Sequence, residues 1–281
     1  MKKIDFGLYI VATPIGNLDD ISKRSIEIIE NADFIICENP KHSLKLLNNL
    51  GIKKKLISLH DYNEHLVVER IAKDLNNKKI VLISDAGSPL ISDPGYKLVN
   101  FCIKNKIPLT SIPGPSSIIP ALQLSGIPIN QFLFAGFFPK TTKAMVDFVE
   151  IIKELNHTTV FFVSNHKIIE CLKLLEEYMP ERLISVSKEL TKLNEHTYRG
   201  KIKDIRKTIF TKSQNTKGEF VITLNKNIEK NKGFDELKDK KDEIKKLLKK
   251  FSLTDVVEIV HKLTGITKNK VYKWVLSIKK S

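Results

Sequence analysis

Between Leu8 and Pro113 one pattern recurs five times: a short β-branched or apolar run followed by a stretch with helical spacing. The runs are Leu8–Ala12, Phe34–Glu38, Leu56–His60, Ile80–Ser84 and Leu109–Pro113. Ile21, Ile28, Ile29 and Ala32 line one helical face behind Asp19 or Asp20 as cap, and Val67, Val68, Ile71 and Leu75 line another. Parallel strands need long crossover connections, usually helices. Five strands separated by helices therefore predict an α/β fold with a parallel N-terminal sheet.

Each run ends in a loop of special chemistry. These loops are Thr13-Pro14-Ile15-Gly16-Asn17, Glu38-Asn39-Pro40-Lys41, His60-Asp61-Tyr62-Asn63, Ser84-Asp85-Ala86-Gly87-Ser88-Pro89 and Pro113-Gly114-Pro115-Ser116-Ser117. A parallel sheet puts all of them on its carboxyl edge, where open α/β sheets bind ligands. Polar loops also serve as plain connections, which accounts for any one of them more easily than for all five.

After Gly126-Ile127-Pro128 the pattern changes. Phe132–Phe138, Thr159–Ser164, Ile184–Leu190, His196–Ile202 and Glu219–Leu224 read as strands, with helices near Ala144–Leu155, Ile168–Tyr178 and Asp204–Phe210. An excess of strands over helices predicts a mixed second sheet. The domains expected are an N-terminal α/β domain over 1–120, a second α/β domain over 121–225 that completes a cleft, a charged linker and helix over 226–250, and a tail over 251–281. In the tail, Ser252-x-x-Asp255 reads as a capping box with Asp for Glu, and Thr264-Gly265-Ile266-Thr267 as a turn. With Lys268, Lys270 and Lys273 on the second helix, a helix-turn-helix that touches phosphate and a simple helical hairpin are both open.

A net charge of +15, from 47 basic against 32 acidic residues, favours a polyanionic partner such as RNA or DNA. Only five of the basic residues are arginine, so a general preference for lysine on the surface is the rival explanation. No apolar stretch reaches the roughly 20 residues that span a bilayer, which predicts a cytoplasmic protein without a membrane partner. Cys37, Cys102 and Cys171 are widely spaced in apolar or helical contexts and read as packing residues.

Several chemistries lack their signatures. There is no G-x-G-x-x-G, no G-x-x-x-x-G-K-[ST], no G-x-S-x-G, and the seven histidines form no metal-ligand grouping, so no metal site is expected. What remains is an edge rich in backbone donors, backbone acceptors and small residues, with a few carboxylates. In SDAGSPLISDPG, residues 84–95, Gly87 and Gly95 open backbone conformations closed to other residues, Pro89 and Pro94 stiffen the loop, and Asp85 can accept hydrogen bonds. That surface suits a zwitterionic ligand with adenosine and amino-acid ends better than a triphosphate.

VATPIGNLDDIS (11–22), SDAGSPLISDPG (84–95), PLTSIPGPSS (108–117), FLFAGFFPK (132–140) and SKELTKLNEHTYRG (187–200) together resemble the ribosomal RNA small subunit methyltransferase I family, of the tetrapyrrole-methylase-like fold. The resemblance runs from Leu8 to about Leu224, and the tail is similar to that family's small C-terminal helical domain. It implies S-adenosylmethionine as methyl donor, a homodimer, and 2′-O-methylation of a cytidine in the decoding region of 16S rRNA in the small ribosomal subunit. It also implies cofactor contacts at Pro14 and Ile15, at Asp85, Ala86, Gly87 and Ser88, and at Ser116 and Ser117, with Phe162, Val163 and Thr223 toward the adenine. Two runs depart from the family pattern. Glu38-Asn39-Pro40-Lys41 stands where Glu-Asp-Thr-Arg is usual, and Val163-Ser164-Asn165-His166-Lys167 where Glu-Ser-Pro-His-Arg is usual. Lys in place of Arg exchanges a two-pronged phosphate contact for a point charge.

Candidates for the proton acceptor, or its hydrogen-bond partner, are Glu38, His60, Glu64, Lys188 and Glu189, with His60 and Glu64 the preferred pair. Each also has a structural reading as a solvated charge, a helix cap or an ion pair, and Lys188 could act as a base only if burial lowered its pKa. Lys41, Lys140, Lys143, Lys167, Lys192 and the tail lysines are the expected RNA contacts. Two other readings stay open: a methyltransferase of this fold acting on a tetrapyrrole or other small molecule, and a non-catalytic ribosome-binding factor.

Overall fold

The computed structural model describes residues 5–210, 216–227, 237 and 240–280. Among these, the described parts of Met1–Glu150 and Thr158–Asn225 form one compact unit, and those of Ile151–His157 and Lys226–Ser281 a second.

In the first unit β1 (Gly7–Val11), β2 (Phe34–Cys37), β3 (Leu56–Ser58), β4 (Lys79–Ile83) and β5 (Leu109–Ile112) form a sheet in the order β3-β2-β4-β1-β5. All its pairings are parallel. β2 is buried along its whole length and β4 is buried from Ile80 on, as expected of strands covered on both faces. Ile29 of α1 (Lys23–Glu30) and Leu47 of α2 (Pro40–Asn49) pack on one face with Val11, Ile35 and Val81. Val67 and Ile71 of α3 (Glu64–Ile71), with Leu98 and Cys102 of α4 (Tyr96–Lys104), cover the other.

Two predicted strands end early, for a local reason. Asn39 leaves the ladder to cap α2, accepting the Lys41 N–H at 3.1 Å with Pro40 in the first turn. After Ser58, Asn63 folds the chain back, accepting from the His60 N–H at 2.8 Å and donating to the Ser58 carbonyl at 3.1 Å.

The order of strands matters for the site. The chain leaves β1 toward β2 on one side, and leaves β4 toward β5 on the other, although β1 and β4 are neighbours. Connections that diverge from adjacent strands open a crevice at the carboxyl edge. An antiparallel bridge joins the two departing loops: Thr13 N–H donates to Gly87 O at 2.8 Å and Gly87 N–H to Thr13 O at 2.9 Å. The side chains reinforce it, Thr13 Oγ1 donating to Ser84 O at 3.0 Å and Ser84 Oγ to Gly87 O at 2.8 Å.

α5 (Ile118–Leu124) then leads to a mixed second sheet in the order β6-β7-β10-β8-β9. It comprises β6 (Phe132–Phe137), β7 (Thr158–Val163), β8 (Leu183–Lys188), β9 (His196–Lys201) and β10 (Phe220–Leu224). β6 and β7 are parallel and the other pairings antiparallel. The helices interspersed are α6 (Thr142–Lys153), α7 (Ile168–Tyr178) and α8 (Ile202–Phe210). The register of β6 on β7 slips between Phe134 and Phe137, where Gly136 takes φ +72°. This bulge brings both rings edge-on to Phe162, at 5.0 and 5.1 Å between centroids. Cys37, Cys102 and Cys171 are buried free thiols.

The second unit contains α9 (Lys241–Leu248), α10 (Leu253–Thr264) and α11 (Lys268–Lys280) around Val256, Val260, Ile266, Val271 and Val275. Ser252 caps α10 by accepting the Asp255 N–H, and Gly265 ends it in the left-handed region at φ +67°. Of the charged stretch expected over 226–250, residues 228–236, 238 and 239 lie outside the described residues. No helix among the described residues is long and apolar enough to cross a membrane.

Candidate active site

A cavity of about 640 Å³ lies in the first unit, over the carboxyl ends of β4, β1 and β5 and against the second sheet. Its lining includes Ile15 from the loop after β1, Asp85–Ser88 and Ile91–Asp93 from the loop after β4, and Ser116–Ile118 from the loop after β5. The loops after β2 and β3 supply none of it, because the strand order puts those strands to one side of the crevice. Three of the five special loops therefore converge on one cavity.

The second sheet contributes Phe137, Phe162–Asn165, Glu189, Leu190, Lys192 and Gly218–Val221. Of the expected cofactor contacts, Ile15, Asp85, Ala86, Gly87, Ser88, Ser116, Ser117, Phe162 and Val163 all line the cavity. Pro14 precedes Ile15 but is not on the wall. Thr223 is 0% exposed toward the end of β10. That strand runs antiparallel to β7, so its beginning, at Gly218–Val221, meets the cavity and Thr223 lies deeper.

The candidates for proton transfer separate. Glu189 is on the wall; Glu38, His60, Glu64 and Lys188 are not. Glu64, 3% exposed, has its carboxylate in the protein interior, where Oε1 accepts the Leu98 N–H at 3.0 Å and caps the first turn of α4. Its preferred partner, His60, sits in the loop after β3, outside the cavity. Burial, then Asp85 and Asp61, raise the pKa of Glu38, against a smaller opposing effect of His60.

Glu189 is committed elsewhere. Its Oε1 accepts from the Glu219 N–H at 2.8 Å and from Lys192 Nζ at 3.1 Å, while Lys192 also reaches Glu219 Oε2 at 2.9 Å. Burial pushes the Glu189 pKa upward, but the Glu219 amide and Lys192 outweigh it and the carboxyl is held below its ordinary range. Lys192, an expected RNA contact, is thus engaged within the cavity, and Lys167 pairs with Glu170 at 2.8 Å. Lys41, Lys140 and Lys143 are exposed.

The backbone here is under strain. Among the described residues five non-glycines have positive φ, and four of them, Leu90, Ser92, Glu189 and Thr191, lie in the two loops that flank the cavity. At Gly218, φ +117°, a Cβ would fall 2.8 Å from the Glu189 carboxylate, so glycine there lets the two chains meet.

Comparison with known proteins agrees with this architecture. The family model for Tetrapyrrole (Corrin/Porphyrin) Methylases matches residues 7–206. A Haemophilus influenzae protein described as ribosomal RNA small subunit methyltransferase I is 38% identical over 276 residues, covering 96% of each chain. The chain belongs to the ribosomal RNA small subunit methyltransferase I family of tetrapyrrole methylases. A Vibrio cholerae member is 36% identical, over 96% of this chain and 94% of its own. Solved structures share the fold at lower identity. Diphthine synthase has a TM-score of 0.58 at 14% identity, covering 78% of this chain and 89% of its own. Uroporphyrin-III-C-methyltransferase from Thermus thermophilus has 0.52 at 16%, covering 79% and 95%.

The methyl donor of tetrapyrrole methylases is S-adenosylmethionine, and the cavity fits it. About 640 Å³ is within the ~300–1,000 Å³ usual for small-molecule sites. Ile15, Phe162, Leu190 and Val221 offer an apolar wall for a purine. Asp85 puts a carboxylate on the wall that can accept hydrogen bonds from a ligand's ammonium or hydroxyl groups. Gly87, at φ +80°, has Ile15 3.5 Å and the Pro115 carbonyl 4.0 Å from where a Cβ would stand, so the loops after β1, β4 and β5 close together there.

Proposed function

We propose that the chain methylates the ribose 2′-hydroxyl of a cytidine in the decoding region of 16S rRNA, acting on the small ribosomal subunit from the cytoplasm. The observation that carries this reading is 36–38% identity to named ribosomal RNA small subunit methyltransferases along 96% of the chain.

When bound, S-adenosylmethionine supplies an electrophilic methyl group on a positively charged sulfur. Asp85–Ser88 and Ser116–Ser117 would hold its polar parts through backbone and side-chain hydrogen bonds, with Ile15, Phe162 and Val163 against its ring. The walls would fix the angle of approach; such alignment is worth on the order of 7–11 kcal/mol. A positioned base adds about 10²- to 10⁴-fold.

The edge strand β6 exposes Phe132 and Leu133, with Ile129 beside them. An apolar edge of this kind supports self-association, and we assign it to a homodimer. Sedimentation of the chain as a monomer at micromolar concentration would remove that assignment.

The function is tested by incubating the chain with methyl-labelled S-adenosylmethionine and, separately, small subunits, naked rRNA or small-molecule acceptors, then mapping the label. Label on one cytidine ribose of 16S rRNA is expected. Label confined to a small acceptor, or none at all, overturns the reading in favour of a small-molecule methyltransferase or a binding factor respectively. Asp85→Ala should weaken cofactor binding at least about tenfold in calorimetry, the loss of a charged hydrogen-bond partner of roughly 1.5–3 kcal/mol; unchanged affinity would move the cofactor away from this loop.

A further inference from the structure

Four carboxylates line the cavity: Asp85, Asp93, Glu189 and Glu219. Glu189 and Glu219 share Lys192. Asp85 accepts the Asn39 N–H at 3.3 Å, which joins the loops after β2 and β4. Asp93 differs: among the described residues no group donates a hydrogen bond to its carboxylate and no cation pairs with it.

The loop that carries Asp93 is held in a defined shape. Leu90 and Ser92 both stand at φ +70°. Pro94 follows, and Gly95, at φ +130°, starts α4 so close to β4 that a Cβ would fall 2.9 Å from Leu82 Cδ2. Side chains in such conformations persist where their surroundings over-determine them, and this is a common mark of functional loops.

The charges around Asp93 are mostly of its own sign. Glu38, at the end of β2, and Asp85, at the end of β4, both act on it. Elsewhere on the wall, Glu189 and Glu219 largely neutralise Lys192. Burial first, then Glu38 and Asp85, raise the Asp93 pKa to about 6. A carboxylate of that strength is ionised at neutral pH yet is a better base than an ordinary aspartate.

We propose that Asp93 is the group that takes the proton of the acceptor hydroxyl during methyl transfer. This inference rests on the methyltransferase reading of the cavity. The hydroxyl O–H bond breaks toward the Asp93 carboxylate and the oxygen electron pair forms the O–CH₃ bond. The S–CH₃ bonding pair stays on sulfur, which leaves as a neutral thioether. Asp93, now a neutral acid, returns its proton to water. Methyl donor and ribose hydroxyl are the only reactants needed.

The test compares the full-length chain with Asp93→Asn and Asp93→Glu in three measurements. They are calorimetric binding of S-adenosylmethionine, methyl transfer to small subunits over about pH 5 to 8.5, and ¹³C NMR titration of aspartate carboxyl carbons. The Asn variant should bind the cofactor within about twofold of wild type while kcat falls about 10²-fold or more. The rise of kcat through about pH 6, and the carboxyl resonance that titrates there, should vanish with it. Asp93→Glu should restore part of the rate together with the pH-dependent rise. An Asn variant that keeps the pH-dependent rise, or that loses cofactor affinity and turnover in equal measure, overturns the assignment while wild-type transfer leaves the function intact. A wild-type chain that binds the cofactor but methylates no RNA overturns both.

Discussion

Asp93 has a consequence for stability as well as chemistry. A carboxyl whose pKa is raised on folding binds protons in the native state that the unfolded chain has already released. Its ionised form therefore costs stability, and the cost grows as pH rises from the ordinary value of 3.8 to about 6, then stays constant. Asp93→Asn should raise the melting temperature at pH 7.5, with the gain shrinking as pH falls toward 4; a melting temperature that drops at neutral pH would count against repulsion from Glu38 and Asp85. Stabilisation on removing a charge is the usual trade where a site is built for activity. The residue was in plain view in SDAGSPLISDPG, but its importance was not. Asp85 sits beside the strand end, whereas nothing in the letters indicates that Leu90 and Ser92 turn left-handed and bring a second aspartate to the wall. Glu64 shows the opposite case: as a sequence it is half of the preferred proton-acceptor pair, and in the fold its carboxylate is buried and caps a neighbouring helix.

At the level of elements, the parallel sheet was legible because its inner strands β2 and β4 are buried on both faces and so read as unbroken apolar runs. Thr223, expected near the adenine from the family resemblance, lies two residues beyond Val221, which does line the cavity. What was missing was strand direction, which pairing with β7 decides and local composition does not encode. The bulge in β6 was likewise hidden, since FLFAGF offers only Gly136 as a clue. The Ser252 cap of the tail, in contrast, is a local feature and readable as such, although the Asp255 carboxylate accepts from the Ser252 hydroxyl and not from its backbone N–H as a full capping box requires. Ser252 Oγ accepts the Asp255 N–H at 3.2 Å and contacts Asp255 Oδ2 at 2.6 Å. Ser252→Ala should cost about 1 kcal/mol, seen as several-fold faster hydrogen exchange of the first amides of α10 in the full chain. Unchanged exchange there would mean that packing around Val256 and Val260, rather than the cap, holds that end.

For the whole molecule, the governing quantity is the charge of +15. Lysines that neutralise phosphates release counterions, so binding to small subunits should weaken steeply between about 50 and 200 mM salt, with a slope near −0.9 per phosphate contacted on a duplex and −0.7 on a single strand. Lys192 and Lys167 should add little to that slope, since carboxylates of the chain itself already hold them. Neutralising Lys140 and Lys143 together should flatten it by one to two phosphate contacts; an identical slope would shift the RNA path to other faces. The net charge predicts an anionic partner but not where it binds, because solvated lysine looks alike wherever it occurs.

The bridge between Thr13 and Gly87 sets a mechanical hierarchy. It rivets the two loops at the one seam where a parallel sheet would otherwise be free to part, so that rim works as an anvil. Any give that lets a nucleoside in or out is then expected from the opposite wall, around Phe137 and Phe162, where the bulge interrupts the ladder between β6 and β7.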